Sequence, residues 1–368
     1  MHWLTHARPC LALAALLAAS HLSAAPFAYV GSSESTTLQR IDVETGAITS
    51  TYPLTAPAYG IATDAALRKV YVTHPSANAL TIIDIPSGAI TYFTIGANPR
   101  GVVVDTLTSR VYVANAESNN VVSFLPSNPD ARQTIGLPAG FGGGAMALSR
   151  GGERMVVVSD IASSFGDSRV VVIDSPAQVT ARATSLASPC GTRINGGVAL
   201  SPDGSVAYAF TDRRSFCVLG ISSPATASML ANLPVGEEVL LRDGNAYSSR
   251  IFTNGSGSRV YAALYPGWDT ARPFPVADFE SAIAVIDAGA NIIGGYIRMP
   301  CGPMPTLVYG AALTPDETHV LSLCGRNGAA PLVDLARTQL ERTLTIAPPS
   351  PTSTTDQLTS VGNFVANF

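Results

Sequence analysis

Charge is scarce in this chain. Only 13% of its 368 residues are Asp, Glu, Lys or Arg, against about 25% in an average soluble domain. Lys69 is the single lysine, and the arginines are mostly scattered singly. With a formal net charge of −4 there is no basic stripe, which excludes a nucleic-acid footprint. The Glu-, Lys- and Leu-rich patterns of coiled coils and helical bundles are missing, and 32 glycines with 26 prolines would interrupt any long helix. Disorder is excluded for the opposite reason: at 46% hydrophobic residues the chain can bury a core that offsets its ordering entropy.

Other absences narrow the chemistry. Beyond residue 25 the histidines are His74 and His319, too few for a copper or zinc centre built on several imidazoles. No two cysteines lie two to four residues apart, which removes four-cysteine zinc sites, redox Cys-X-X-Cys motifs and covalent haem attachment. The glycine run Gly142-Gly143-Gly144 lacks the following helix, Lys and Ser or Thr of a phosphate loop. No Gly-X-Ser-X-Gly elbow stands between a strand and a helix. Glu237 and Glu238 are adjacent, so on a strand they point to opposite faces and make a poor acid/base pair. No metal site is expected. His319 reads as a surface turn residue, and His74 as a loop residue, either solvated or touching a ligand.

At the start of the chain, His2, His6 and Arg8 precede an apolar stretch from Cys10 to Ala19 and the small residues Ser23 and Ala25. A cationic start, a short apolar middle and small residues at a boundary describe a secretory signal peptide over 1–25. About ten apolar residues are too few to span a bilayer, and no later stretch reaches about 18. Residues 26–368 are therefore expected to form a single exported domain without a transmembrane anchor, secreted or periplasmic.

That domain is built from repeats. One strand signature recurs as Ala28-Tyr29-Val30, Val70-Tyr71-Val72, Val111-Tyr112-Val113, Met155-Val156-Val157, Val206-Ala207-Tyr208, Val260-Tyr261-Ala262 and Val320-Leu321-Ser322. Lys69, Arg110, Arg154 and Arg259 precede it in four copies, and Asp42, Asp84, Asp174, Asp287 and Asp334 end the strand that follows. Those carboxylates read as turn formers rather than catalysts. A further strand, as in Gly60-Ile61-Ala62 and Gly310-Ala311-Ala312, comes ahead of the signature in each copy after the first. Four short strands per 40–50 residues in seven copies predict an all-β fold, a seven-bladed β-propeller of four-stranded antiparallel blades. Ser360-Val361-Gly362-Asn363-Phe364-Val365 looks like an inner strand without followers, and the mature chain begins on a second strand. The ring is thus expected to close through a composite blade, with the C-terminal inner strand added to three N-terminal strands.

The stretches Val70-Tyr71-Val72-Thr73, Ser76-Ala77-Asn78, Thr81-Ile82-Ile83-Asp84 and Thr94-Ile95-Gly96-Ala97-Asn98-Pro99-Arg100-Gly101 resemble the YVTN-repeat β-propeller family. That family comprises exported seven-bladed propellers of the quinoprotein amine dehydrogenase-like superfamily. The resemblance is clear over residues 28–125 and implies a fold and a compartment, but no catalytic residues.

Four cysteines remain past the signal: Cys190, Cys217, Cys301 and Cys324. Cys190 and Cys301 both lie in Pro-Cys-Gly ahead of an inner strand, and Cys217 and Cys324 lie near the loop between the second and third strands. In a propeller these loops share one face, so Cys190–Cys217 and Cys301–Cys324 are the expected disulfides. The same face gathers the ligand-binding candidates Tyr59, Arg100, Arg193, Trp268, Tyr309 and Arg326, together with Arg242, Asn115, Asp160, Asp212 and Asp356. The insertion 263–280 lies there as well.

These features lead to a monomeric binding scaffold, without a cofactor, whose partner is a protein, an envelope polymer or a small anionic ligand. The alternatives are a lactonase-like hydrolase or a relative of the quinoprotein dehydrogenases, and a structural surface-layer component. Calcium or magnesium enters only with the enzyme alternative.

Overall fold

The computed structural model describes residues 27–32, 35–159, 169–179, 181–187, 190, 193–211, 214–222, 226–236, 246–266, 281–299, 308–314, 316–324, 329–345 and 358–361. The proposed signal segment lies outside them. Apart from one short 3-10 turn, Pro75–Ala77, every described element is a β-strand.

The first blade holds β1 (Phe27–Ser32), β2 (Thr37–Asp42) and β3 (Ile48–Pro53). Four-stranded blades follow in chain order. The second is β4 (Ile61–Asp64), β5 (Lys69–His74), β6 (Ala79–Asp84) and β7 (Ile90–Thr94). The third is β8 (Pro99–Asp105), β9 (Arg110–Asn115), β10 (Asn120–Leu125) and β11 (Asn128–Gly136). The fourth is β12 (Gly143–Leu148), β13 (Arg154–Ser159), β14 (Arg169–Asp174) and β15 (Ala183–Ala187). The fifth is β16 (Ile194–Leu200), β17 (Val206–Thr211), β18 (Ser215–Ser222) and β19 (Thr226–Pro234). The sixth is β20 (Ala246–Thr253), β21 (Arg259–Pro266), β22 (Ser281–Asp287) and β23 (Ile292–Met299). The seventh is β24 (Val308–Leu313), β25 (His319–Cys324), β26 (Ala329–Asp334) and β27 (Gln339–Thr345). The last strand, β28 (Leu358–Val361), returns to the first blade, whose order is β28-β1-β2-β3. This is the composite closure expected from the sequence, and the protein is a seven-bladed β-propeller.

The strand types differ in composition because they differ in burial. The second strands β5, β9 and β13 are buried along nearly their whole length, as are the third strands β10 and β14. A neighbouring blade packs on each of their faces, so their sequences read as continuous runs of Val, Ile and Tyr rather than as an alternation. The outer strands β3, β11 and β19 are exposed over most residues with a single buried position near the end. Between blades the core is locally continuous: Tyr71, Leu80 and Phe124 pack with Val111 and Val113 across one seam. Tyr112, Phe141 and Met155 pack with Val157 across the next.

The two marks in the repeat meet in space. Lys69 Nζ reaches Asp84 Oδ2 at 2.6 Å, Arg154 Nε reaches Asp174 Oδ1 at 2.7 Å, and Arg259 Nη1 reaches Asp287 Oδ2 at 2.5 Å. The aspartates also form the turns. Asp84 accepts from the Ser87 backbone N–H at 3.0 Å, and Asp287 from those of Gly289 and Ala290 at 3.0 Å each. Its hydrogen bonds to Lys69 and Ser87 hold the Asp84 carboxyl well below the usual carboxylate range. Arg110 departs from the pattern, because its partner is the Ser123 hydroxyl at 3.4 Å.

Candidate functional site

The inner strands leave a central channel with a cavity of about 520 Å³. Close packing of backbone sets its diameter. A Cβ on Gly60 would strike the Arg100 carbonyl oxygen, and one on Gly101 the Gly144 carbonyl oxygen. The Gly142–Gly144 run therefore serves close approach at the channel, as its lack of a following helix implies. The described lining is mostly small or apolar, including Val102, Ala145, Met146 and Leu200.

Arg250, Glu317 and the threonines Thr106, Thr253 and Thr314 are the exceptions. The register partner of Arg250 across the blade is Ala263, the rung at which Gly310 faces Leu323 and Ala145 faces Val158. Five of the other inner strands carry Gly or Ala at that rung, and the sixth blade carries a guanidinium. Burial lowers the Arg250 pKa, and the Tyr59 phenol works against that shift. An arginine nonetheless stays charged in a protein, so the channel holds a fixed cation.

Tyr59 and Arg100 stand at the rim beside it. The Arg100 guanidinium sits over the Tyr59 ring, 5.2 Å from its centroid, and Nη1 donates to the phenol oxygen at 3.5 Å. Arg100 Nε donates to Asn98 Oδ1 at 3.0 Å, and the Arg100 carbonyl accepts from the Thr73 hydroxyl at 2.7 Å. Tyr59 is 37% exposed. Two of the residues picked from the sequence are thereby brought together. Arg250 was missed, although its position ahead of Ile251 matches that of Gly60 ahead of Ile61.

Arg193 is exposed directly ahead of β16. Tyr309 lies on the channel-lining strand β24. Trp268, Arg326, Arg242, Asp160, Asp212 and Asp356 lie outside the described residues. Cys190 and Cys217 form a disulfide with Cα atoms 6.0 Å apart. Cys301 falls outside the described residues, and only the strand position of Cys324, at the end of β25, is described.

Two loop assignments need correction. His74 is not a solvated loop residue: it ends β5 and is fully buried. Its Nδ1 lies 3.0 Å from the Pro57 carbonyl oxygen and its Nε2 2.7 Å from the Thr81 hydroxyl. Asn115 is likewise buried at the end of β9, where its Nδ2 donates to Asn120 Oδ1 at 2.8 Å. Both side chains tie a strand end to its neighbours, a role that composition does not distinguish from a loop polar residue.

Burial pushes the His74 pKa down, against the upward pull of hydrogen bonds to the Pro57 and Ala56 carbonyls. The unfolded chain takes up its proton near pH 6.5, while the folded chain resists it. The neutral-histidine contribution is therefore complete above about pH 6.5 and is lost as pH falls below it. Thermal stability of the wild type is expected to drop more between pH 7 and 5 than that of His74→Gln. Parallel pH profiles of the two proteins would overturn this.

No protein-family model matches the chain, and no curated protein matches it. Solved structures do resemble it. A functionally unknown protein from Desulfotomaculum acetoxidans superposes with a TM-score of 0.67 at 14% identity, covering 92% of this chain and 98% of the other. A hydrazine synthase from Kuenenia stuttgartiensis gives 0.61 at 18% identity, over 80% and 88%. A structure from Bacteroides uniformis described as a candidate 6-phosphogluconolactonase gives 0.61 at 15% identity, over 93% and 99%. Identities this low carry the architecture and no activity, and the YVTN kinship read from residues 28–125 has no matching family model behind it. What these unrelated proteins share with the chain is the β-propeller.

Proposed function

We propose that this protein is an exported β-propeller of the YVTN kind, a monomeric binding scaffold that receives a small anionic ligand at the channel mouth on its disulfide-bearing face. The observation that carries the reading is Arg250, a cation in the channel with Arg100 and Tyr59 at the rim. Behind that mouth the channel holds a cavity of about 520 Å³ that runs from Arg250 to Thr314 and Glu317 at the opposite end, a size suited to a small molecule. Guanidinium groups recognise carboxylates and phosphates through two parallel hydrogen bonds. Export is supported by the signal-like first 25 residues and by the Cys190–Cys217 disulfide, since such bonds persist in oxidising compartments. Among the described residues no helix is long and apolar enough to cross a membrane.

The hydrolase alternative needs a divalent cation held by several Asp, Glu or Asn side chains around the channel. Among the described lining residues Glu317 is the only carboxylate, and its Oε1 already accepts from the Gly255 backbone N–H at 2.5 Å. The donor set supports anion binding better than cation binding.

Calorimetric titration with inorganic phosphate, citrate and malonate tests the reading. At least one of these probes is expected to bind the wild type, and Arg250→Gln is expected to weaken it at least about tenfold, the loss of one charge-assisted hydrogen-bonded contact. The double variant Arg193→Ala with Trp268→Ala should weaken it further, and Arg68→Ala with Arg110→Ala on the opposite face should not. Equal loss from both pairs, or loss only from the second, would place the site on the wrong face.

A further inference from the structure

A second cluster of chemistry lies on the face opposite the channel mouth, in the seventh blade. His319, Asp334 and Glu341 each offer one ligand atom, and those atoms all lie within 4.8 Å of one another. They come from three neighbouring strands. His319 pairs with Asp334 between β25 and β26, at the place where Lys69 pairs with Asp84 and Arg259 with Asp287. Glu341 arrives by a different device. The register between β26 and β27 slips between Leu332 and Val333, whose partners are Arg342 and Leu340, so Glu341 is the extra residue of a β-bulge.

The same bulge recurs elsewhere. It leaves Thr49 unpaired on β3, Leu230 on β19 and Gly294 on β23. None of those residues can bind a cation as a carboxylate does. The seventh blade therefore differs from the others twice at one spot. Its strand-leading cation is an imidazole, which can coordinate a metal, and its bulge carries a carboxylate aimed at that imidazole. From this convergence we infer that His319, Asp334 and Glu341 form a binding site for a zinc-class divalent transition-metal ion.

The contacts around the cluster fit that use. His319 Nε2 lies 2.6 Å from Glu341 Oε2, a separation at which the two lone-pair-bearing atoms need a shared cation, either a proton or a metal ion. His319 Nδ1 lies 2.7 Å from the Thr318 hydroxyl. A hydroxyl accepting from Nδ1–H fixes the tautomer that presents Nε2 as a ligand, as the outer partners of metal-bound histidines do. The Arg337 backbone N–H donates to Asp334 Oδ1 at 2.9 Å and fixes that carboxylate beside the imidazole.

Two cations also face the cluster. Arg337 Nε stands 3.6 Å from Asp334 Oδ2, and Arg342 Nε 3.9 Å from Glu341 Oε1. They orient the carboxylates and balance their charge. A donor set of one imidazole and two carboxylates, its charge balanced by two arginines, suits zinc, cobalt or nickel better than calcium or magnesium, which favour more oxygen ligands and more negative charge. Ligands about 2.1 Å from a tetrahedral ion stand about 3.4 Å apart, so rotamer adjustment within the cluster accommodates it. Partial exposure, 27% for the His319 side chain and 33% for Glu341, leaves the remaining position to water. The proposal is independent of the channel-mouth reading, from which it differs in face, charge and ligand.

The test is titration of the purified chain with zinc sulfate against a chromophoric chelator, with calcium chloride as the comparison ion. Wild type is expected to bind zinc in the micromolar range and to bind calcium at least about a hundredfold more weakly. His319→Arg should lose this zinc equivalent while rebuilding the cation–Asp334 pair of the other blades, so its metal-free thermal midpoint should stay in place. Glu341→Gln should lower zinc affinity about tenfold or more, and it carries the test if His319→Arg fails to fold. Zinc bound with unchanged stoichiometry and affinity in both variants would overturn the proposal. So would absence of zinc binding in the wild type, or calcium binding as tight as zinc.

Discussion

Deleting residues 358–368 is expected to yield insoluble or protease-sensitive protein, and any soluble fraction should unfold at least about 5 °C below the full-length chain. The deletion removes β28, which supplies the inner edge of the first blade through the pairs Val30–Val361, Gly31–Ser360 and Ser32–Leu358. The same strand packs against β24 and β25 of the seventh blade, so it is also the joint between the two ends of the ring. Its backbone hydrogen bonds contribute roughly 1 kcal/mol each, its packing on the seventh blade adds to them, and in a domain this large each kcal/mol shifts the midpoint by about 1.5 °C. The inner edge of β1 is left unpaired, which invites pairing with another chain. The ring retains other ties between its ends. Arg342 Nη2 donates to the Val43 carbonyl at 3.0 Å, and Leu344 packs with Ile41 and Val43. Partial closure is therefore expected to survive, and protease cuts should concentrate in the first blade. Limited proteolysis and thermal unfolding of the truncated chain check this, and an unchanged midpoint with unchanged proteolysis would overturn the composite blade.

The repeat made this closure readable in advance. Val70-Tyr71-Val72 and its six counterparts are buried on both faces save for the half-buried Val206, so each copy keeps a nearly continuous apolar run whatever its loops do. Burial imposes the signature, and the signature counts the blades. The leftover strand at the C-terminus and the missing inner strand at the N-terminus then had one simple solution. Chemistry was less legible, because it resides where single copies break the repeat. Arg250 is an ordinary arginine until its rung is compared with Gly310 and Ala145. Glu341 reaches His319 only through a one-residue slip in register, and a bulge leaves no mark in composition. His74 and Asn115 failed differently. A polar residue that ends a strand by bonding a buried hydroxyl or amide looks, in sequence, like the first residue of a loop.

Replacing both Cys190 and Cys217 by alanine is expected to cost about 3.5 kcal/mol of stability under oxidising conditions. The bond closes a loop with a sequence separation of 27, and the chain-entropy relation for a loop of that length gives this magnitude. It ties the segment entering β16, an inner strand, to β18 in the same blade. Cys217 is fully buried within a cluster that includes Val156, Val170, Val198 and Leu219, so alanine at that position also leaves a small void. The single variant Cys190→Ala keeps the Cys217 side chain in place and isolates the crosslink from the packing loss. Denaturant midpoints of the wild type, the single and the double variant, each with and without reductant, separate these contributions. Reductant should lower the wild-type midpoint to near that of Cys190→Ala. Any further shift that reductant produces in the double variant would then belong to a bond between Cys301 and Cys324. A wild-type midpoint indifferent to reductant, or equal to that of Cys190→Ala, would show that the crosslink does not restrain the chain. Anion binding at the channel mouth provides a second readout. Arg193 lies three residues beyond Cys190, so loss of the crosslink should weaken the oxyanion probes in the same variants that lose stability.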